Sequence, residues 1–278
     1  MTRHRPLDVI FRSLIWAAGI VGMALPVWIV GFLLVRGAGR LTWSFLVDHP
    51  RGYPPGTEGG ILPAILGSAA LILVGLVIAI PFGVGGGLCL AEFCPSKRLQ
   101  SYARAAVEAL AGVPSILFGL FGYACFVVFL RMGISLLAGG LVLGLVMLPI
   151  LLITSQEAFA AVAAQYREAT LSLGTDRSAW IFWVLLPKAR VRILAGLVLA
   201  VGHAVGSAAP VLFTASVYFR RGGLHLDQPV MTLPTHLYFL VSEAISFDHA
   251  FATALVLVLG LAIFNGTAMA LRHQMRDS

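Results

Sequence analysis

Six long apolar runs alternate with shorter polar connections along the chain, at about 14–35, 61–91, 105–130, 133–154, 191–219 and 250–271. Each is long enough to cross roughly 30 Å of hydrocarbon at about 1.5 Å per helical residue. None alternates apolar and polar positions over a barrel-length segment. The runs therefore predict helices, which satisfy their own backbone polar groups as lipid demands. The third run is mixed at its start, where Arg104 and Glu108 fall between Tyr102 and Leu110. That part reads as an interfacial or inner turn of helix, with the span proper beginning near Pro114. The fold class is all-α integral membrane, with six transmembrane helices. An N-terminal helix and outer loop (1–60) precede a core (61–272) and a short tail (273–278).

Composition supports the bilayer as solvent. Hydrophobic residues make up 59% of the chain and charged residues 11%, too apolar for a water-soluble domain. The first run continues to Arg36 without a small-residue cleavage site, so it reads as an uncleaved span rather than a secretory signal. The net charge of +7 matters through its placement, which points to membrane topology rather than nucleic acid. With the N-terminus inside, the inner side holds Arg3, Arg5, Arg12, Lys97, Arg98, Arg104, Arg167, Arg177, Lys188, Arg190, Arg192, Arg272 and Arg276. The outer side holds Arg36, Arg40, Arg51, Arg131, Arg220 and Arg221. This bias, with an even number of spans, places both termini in the cytoplasm. Cys89, Cys94 and Cys125 are too few and too scattered for a disulfide framework, and they read as small packing residues rather than metal ligands. The outer segment 220–249, with His225, Asp227, His236, Glu243 and His249, reads as a solvated cap or a partner-docking surface. Glu92 and Glu108 read as structural partners of Lys97, Arg98 or Arg104.

The inner segment 155–190 is long for a connection and carries helical spacing, which points to a function of its own. Within it stand Glu168-Ala169-Thr170, three residues, Gly174, nine residues, then Val184-Leu185-Leu186-Pro187. A short helix ending near Gly174 would present one face to another protein. Glycine permits the left-handed turn that ends such a helix. Ala169 lets a partner backbone approach, Arg167 and Glu168 offer charges, and Pro187 marks a break before the next span. The bland alternative is a connector lying on the membrane surface. No Gly-x-x-x-x-Gly-Lys-Ser/Thr stretch occurs in the chain, so the phosphate-cradling loop of an ATPase is missing.

The spacing resembles the EAA loop of binding-protein-dependent ABC importers, with Thr170 in place of the second alanine. Further segments carry a closer resemblance: Glu58-Gly59-Gly60-Ile61, Ile78-Ala79-Ile80-Pro81-Phe82-Gly83-Val84, Leu90-Ala91-Glu92-Phe93, Ala111-Gly112-Val113-Pro114-Ser115-Ile116, Leu148-Pro149-Ile150 and Ala208-Ala209-Pro210-Val211. In this order they resemble the PstA family of permease subunits of bacterial phosphate ABC importers. The resemblance implies a type I importer permease (MetI-like) fold and a bacterial inner-membrane location. It implies a PstB-like ATPase dimer gripping the coupling loop, a PstC-like second permease and a PstS-like periplasmic phosphate-binding protein. ATP and magnesium would be bound by the ATPase, with no cofactor in this chain.

The chain departs from that family at three usually charged positions, which here are Ile153, His203 and Ser207. Arginine offers an oxyanion a fixed fork of donors, and isoleucine offers none. A solute other than phosphate, such as another oxyanion, therefore stays open. His203 lies near the middle of the fifth run, with Ser207 one turn on and Thr214 beyond. Such a polar stripe reads as facing a translocation path, and alternatively as an interhelical hydrogen bond inside the bundle. A secondary transporter would predict inverted repeats and charge relays, and neither is clear. A membrane enzyme would need a clustered nucleophile, base and acid, which no span or loop carries.

Overall fold

The computed structural model describes residues 6–94, 96–219 and 222–277. Arg3, Arg5, Arg220 and Arg221 of the charge pattern lie outside the described residues, as do the extreme termini and the side chains of Arg272 and Arg276.

The chain opens with α1 (Pro6–Gly37), a short 3-10 turn and α2 (Trp43–Val47). A small antiparallel hairpin follows, β1 (Pro50–Arg51) and β2 (Glu58–Gly59), paired Pro50 to Gly59 and Arg51 to Glu58. Then come α3 (Leu62–Leu88), α4 (Lys97–Ala111), α5 (Ser115–Gly122) and α6 (Leu136–Ser172). The remaining helices are α7 (Arg177–Ala179), α8 (Leu186–Val205), α9 (Ala208–Thr214), α10 (Leu233–Ser242) and α11 (Phe247–Asp277). Among the described residues, four helices are long and apolar enough to cross a membrane alone, and two bent pairs bring the number to six.

One bend falls where the third run is expected to turn, near Pro114, and the other revises the fifth span. The third run is broken at Gly112–Pro114, where the amphipathic α4 meets the helix Ser115–Phe129 at 91°. α4 buries none of its residues, in keeping with a position at the edge of the bundle. The fifth run, expected as one helix over 191–219, breaks at Gly206–Ser207 with a bend of 63° and ends at Thr214. The break suits Pro210, though Pro81 and Pro149 lie inside unbroken helices. A proline inside a continuous helix would clash with the carbonyl four residues earlier and leave it unpaired. Restarting the helix at Ala208 places Pro210 in a first turn, where its missing N–H costs nothing.

α6 is the hub, with 67% of its most apolar stretch buried, and it contacts α3, α4, α5, α8 and α9. Its closest partner is α3, whose buried positions are Ala64, Gly67, Leu71, Gly75, Ala79, Gly83 and Gly87. A four-residue recurrence of small residues lets two helix backbones approach in lipid, where dispersion and close packing replace the hydrophobic effect. At Gly87 an added Cβ would lie 2.8 Å from the Gln156 amide nitrogen and 2.9 Å from the Leu152 carbonyl oxygen. A second cluster of Phe159, Val162, Trp180, Ile181 and Leu185 closes the opposite end of α6 against Leu88 and Ala91. α1 stands apart. None of its apolar stretch is buried, and it meets α11 near its end, where Phe32 packs edge-on against Phe251 at 5.6 Å.

Replacing Gly87 by alanine places a methyl group against backbone atoms that cannot yield and is expected to destabilise the fold by about 1–3 kcal/mol. Gly85, two residues away, has nothing within 4 Å of its Cβ position, so Gly85→Ala leaves stability unchanged or raises it by up to about 1 kcal/mol. Thermal unfolding of both variants in nanodiscs checks the contrast.

Candidate functional site

The inner segment is built differently from the short helix expected. α6 does not stop at the membrane edge. It runs unbroken from the fourth span to Ser172, so Arg167, Glu168 and Ala169 ride on the end of a 37-residue helix. The helix stops because Gly174 adopts φ +74°, a left-handed conformation that glycine enters without strain. Asp176 then caps α7, accepting from the Ser178 and Ala179 amides at 3.3 and 3.4 Å. The Ser178 hydroxyl, with those amides, holds the Asp176 carboxyl below the usual range. Arg167, Glu168, Ala169, Ser172, Leu173 and Gly174 are all exposed, and the Leu173 side chain is apolar yet 84% exposed. The tip is thus a compact turn that offers charge, a small residue and an apolar side chain together.

Pro187 does not interrupt the chain as expected. Helix continues from Arg177 to Val205, and the stretch Trp180–Leu185 winds as a π-helix. The wider turn moves the preceding carbonyls away from the proline ring, and Pro187 sits in the first turn of α8.

Ion pairs tie this segment to the bundle. Arg104 of α4 bonds both Glu108, one turn on, and Glu157 of α6, at 2.7 Å each. Glu92, in the π-helical extension of α3, is not paired with Lys97, Arg98 or Arg104. Its side chain is fully buried, and Arg167 lies 3.7 Å away. Arg177 donates to the Glu92 carbonyl and places its guanidinium 4.1 Å from the centre of the Phe93 ring. Sequence reading missed the reach of Arg167 and Arg177 to residues 92 and 93. The available signal was a glutamate at the end of an apolar span, opposite a loop flanked by arginines.

The expected polar stripe is not continuous. His203 is exposed on the surface of this single chain and lines a cavity of about 50 Å³ with Leu110, Val113, Ser115, Pro149 and Ile150, at the bend between α4 and α5. Ser207 lies past the helix break, donates to the His203 carbonyl at 2.9 Å and faces a different niche with Ser68 and Thr232. Thr214 is fully buried and donates to the Pro210 carbonyl at 2.8 Å. Ile153 is half-buried on α6.

The outer segment is a solvated cap only in part, with Asp227 and Glu243 exposed as expected. His225 is exposed, but His236 and His249 are buried. His249 Nδ1 is 2.9 Å from the Gly56 carbonyl oxygen, and its ring stacks on Phe45 at 5.6 Å. Tyr218 donates to the Pro55 carbonyl. The cap therefore clamps the 50–60 loop. It also holds the start of α6, whose Leu136 and Leu137 amides donate to the Gln228 and Leu226 carbonyls at 2.8 and 2.9 Å.

The profile of the family described as "Binding-protein-dependent transport system inner membrane component" matches residues 79–276. The chain is similar to the "Probable ABC transporter permease protein YqgI" of Bacillus subtilis, 29% identical over 90% of this chain and 91% of that one. It is also similar to the "Phosphate transport system permease protein PstA 2" of Mycobacterium bovis, 31% identical over 91% of this chain and 85% of that one. In fold it resembles the inward-facing MetNI methionine ABC transporter, with a TM-score of 0.61 over 78% of this chain, 94% of that chain and 16% identity.

Burial, with the neighbouring His249 adding to it, depresses the His236 pKa from 6.5 to about 4. The unfolded chain therefore takes up a proton that the folded cap refuses. Stability is full above pH 6.5 and is lost as pH falls toward 4, by an amount on the order of 3 kcal/mol. Unfolding midpoints in nanodiscs should drop between pH 7.5 and 5, and that drop should shrink in His236→Asn.

Proposed function

The chain belongs to the family of binding-protein-dependent transport system inner membrane components, and on that footing we propose that it forms half of the transmembrane pathway of a phosphate ABC importer. The observation that carries the reading is the exposed turn at residues 167–174, set on the end of a helix that runs through the core. A separate ATPase dimer, PstB-like, grips this turn through Arg167, Glu168, Ala169 and Gly174, with Pro187 ordering the return to the fifth span. ATP and magnesium sit on that ATPase. A PstC-like permease supplies the other half of the pathway, and a PstS-like binding protein delivers the solute from outside. Both termini and the turn then lie in the cytoplasm, as the lysine and arginine distribution favours. The domain division at residues 1–60, 61–272 and 273–278 fits this reading, with the helix of the first part free to lie against lipid or a partner.

Of the three polar residues in the fifth span, His203 is the one we assign to the solute path. It is ionisable, exposed on this chain within an apolar span, and adjacent to a cavity at a bend in the bundle. Ser207 and Thr214 direct their hydroxyls to carbonyls of their own chain and serve the path by shaping the break beside it. Ile153, His203 and Ser207 leave this chain without a fixed positive charge at those positions. The oxyanion's charge is then met by the partner permease, or the solute is a different oxyanion.

Two measurements check these assignments. Changing Glu168 to Ala together with Gly174 to Val should cut the ATPase recovered with the purified permease by about tenfold, because a side chain at positive φ strains the turn. Uptake of radiolabelled orthophosphate into vesicles holding the full complex should fall at least severalfold in His203→Leu. Unchanged uptake with normal assembly would reject the pathway role.

A further inference from the structure

The most demanding group near the inner face is one that the transport reading does not use. The Glu92 side chain is fully buried, and neither carboxylate oxygen accepts a hydrogen bond among the described residues. A buried carboxylate needs compensation by an opposite charge or by donors. Here the compensation is Arg167, 3.7 Å away, an ion pair without a hydrogen bond. Arg167 belongs to the exposed tip of α6, and the other side of the same turn sends Arg177 to the Glu92 backbone carbonyl. The two arginines that flank the turn thus converge on one residue at the end of the second span. Close packing reinforces the grip, since Gly87 lies against Ser155 and Gln156, and Ala91 packs on the cluster around Trp180.

Resting on the coupling-turn reading above, we propose that Glu92 is a positioning residue that ties the coupling turn to the second span, so that movement of the turn is passed to α3. Being buried, Glu92 cannot itself touch an ATPase. It acts through Arg167 and Arg177. One arginine of the turn meets the Glu92 carboxylate and the other its backbone carbonyl, so the turn is held to the end of α3 at two points.

The isosteric Glu92→Gln removes the charge without a cavity, and Glu92→Asp keeps the charge on a shorter arm. In the reconstituted chain alone, amide hydrogen exchange over residues 163–185 should be at least tenfold faster in Glu92→Gln and largely restored in Glu92→Asp. Exchange at the wild-type rate in Glu92→Gln would overturn the tie. In vesicles holding the complete complex, Glu92→Gln should retain the ATPase and hydrolyse ATP within about twofold of wild type, while orthophosphate accumulation falls at least tenfold. A wild-type ratio of phosphate accumulated to ATP hydrolysed in that variant would overturn the transmitting role. If the wild-type chain retained no ATPase or moved no phosphate, the transport reading would fail, and the exchange measurement would still decide the tie.

Discussion

At the contact between α3 and α6 the two backbones come so near that a Cβ on Gly75 would lie 3.2 Å from both the Gly140 carbonyl oxygen and the Gly144 amide nitrogen. That approach fixes much else. A bundle in lipid has little hydrophobic drive to hold its helices together, so contact area and close packing must do it. The small residues along one face of α3 supply that area over the length of the span. With α3 and α6 locked as one body, α8 attaches at Gly196, where a Cβ would meet the Thr154 side chain. The bent pairs arrange themselves around the same core.

Both ends of α6 are then put to use. At one end, the first amides of the helix are satisfied by carbonyls of the 226–228 loop, which belongs to a cap held by buried histidines. At the other, the helix continues for about 15 Å past Val162, its last buried core residue, before Gly174 ends it. A rigid rod that joins an outer cap, a packed centre and an exposed inner turn is suited to move as a unit. The ion pairs of Arg104 with Glu157 and of Arg167 with Glu92 join it to α4 and to the end of the second span.

The sequence made the apolar segments and the turn that ends at Gly174 legible, because apolar run length and a glycine after a helical pattern are local signals. It did not reveal that α6 is continuous through Arg167, since nothing local distinguishes a helix that stops from one that extends past the membrane. The break at Ser207 was readable in principle from Pro210, but an apolar run of the right length concealed it. Buried His236 and His249 looked like surface residues, because their burial depends on the distant 50–60 loop folding over them. Glu92 illustrates the same limit: its partners lie 75 and 85 positions further on, and the choice between them and the nearer Lys97 is made by tertiary packing alone.

The central claim is that a separate motor grips the exposed end of α6. A photoactivatable benzoylphenylalanine in place of Leu173 tests it directly in intact cells, because that side chain points away from its own bundle. Covalent capture of an ATPase subunit is the expected result. Capture of lipid alone, in cells where the permease is assembled and active, would contradict it.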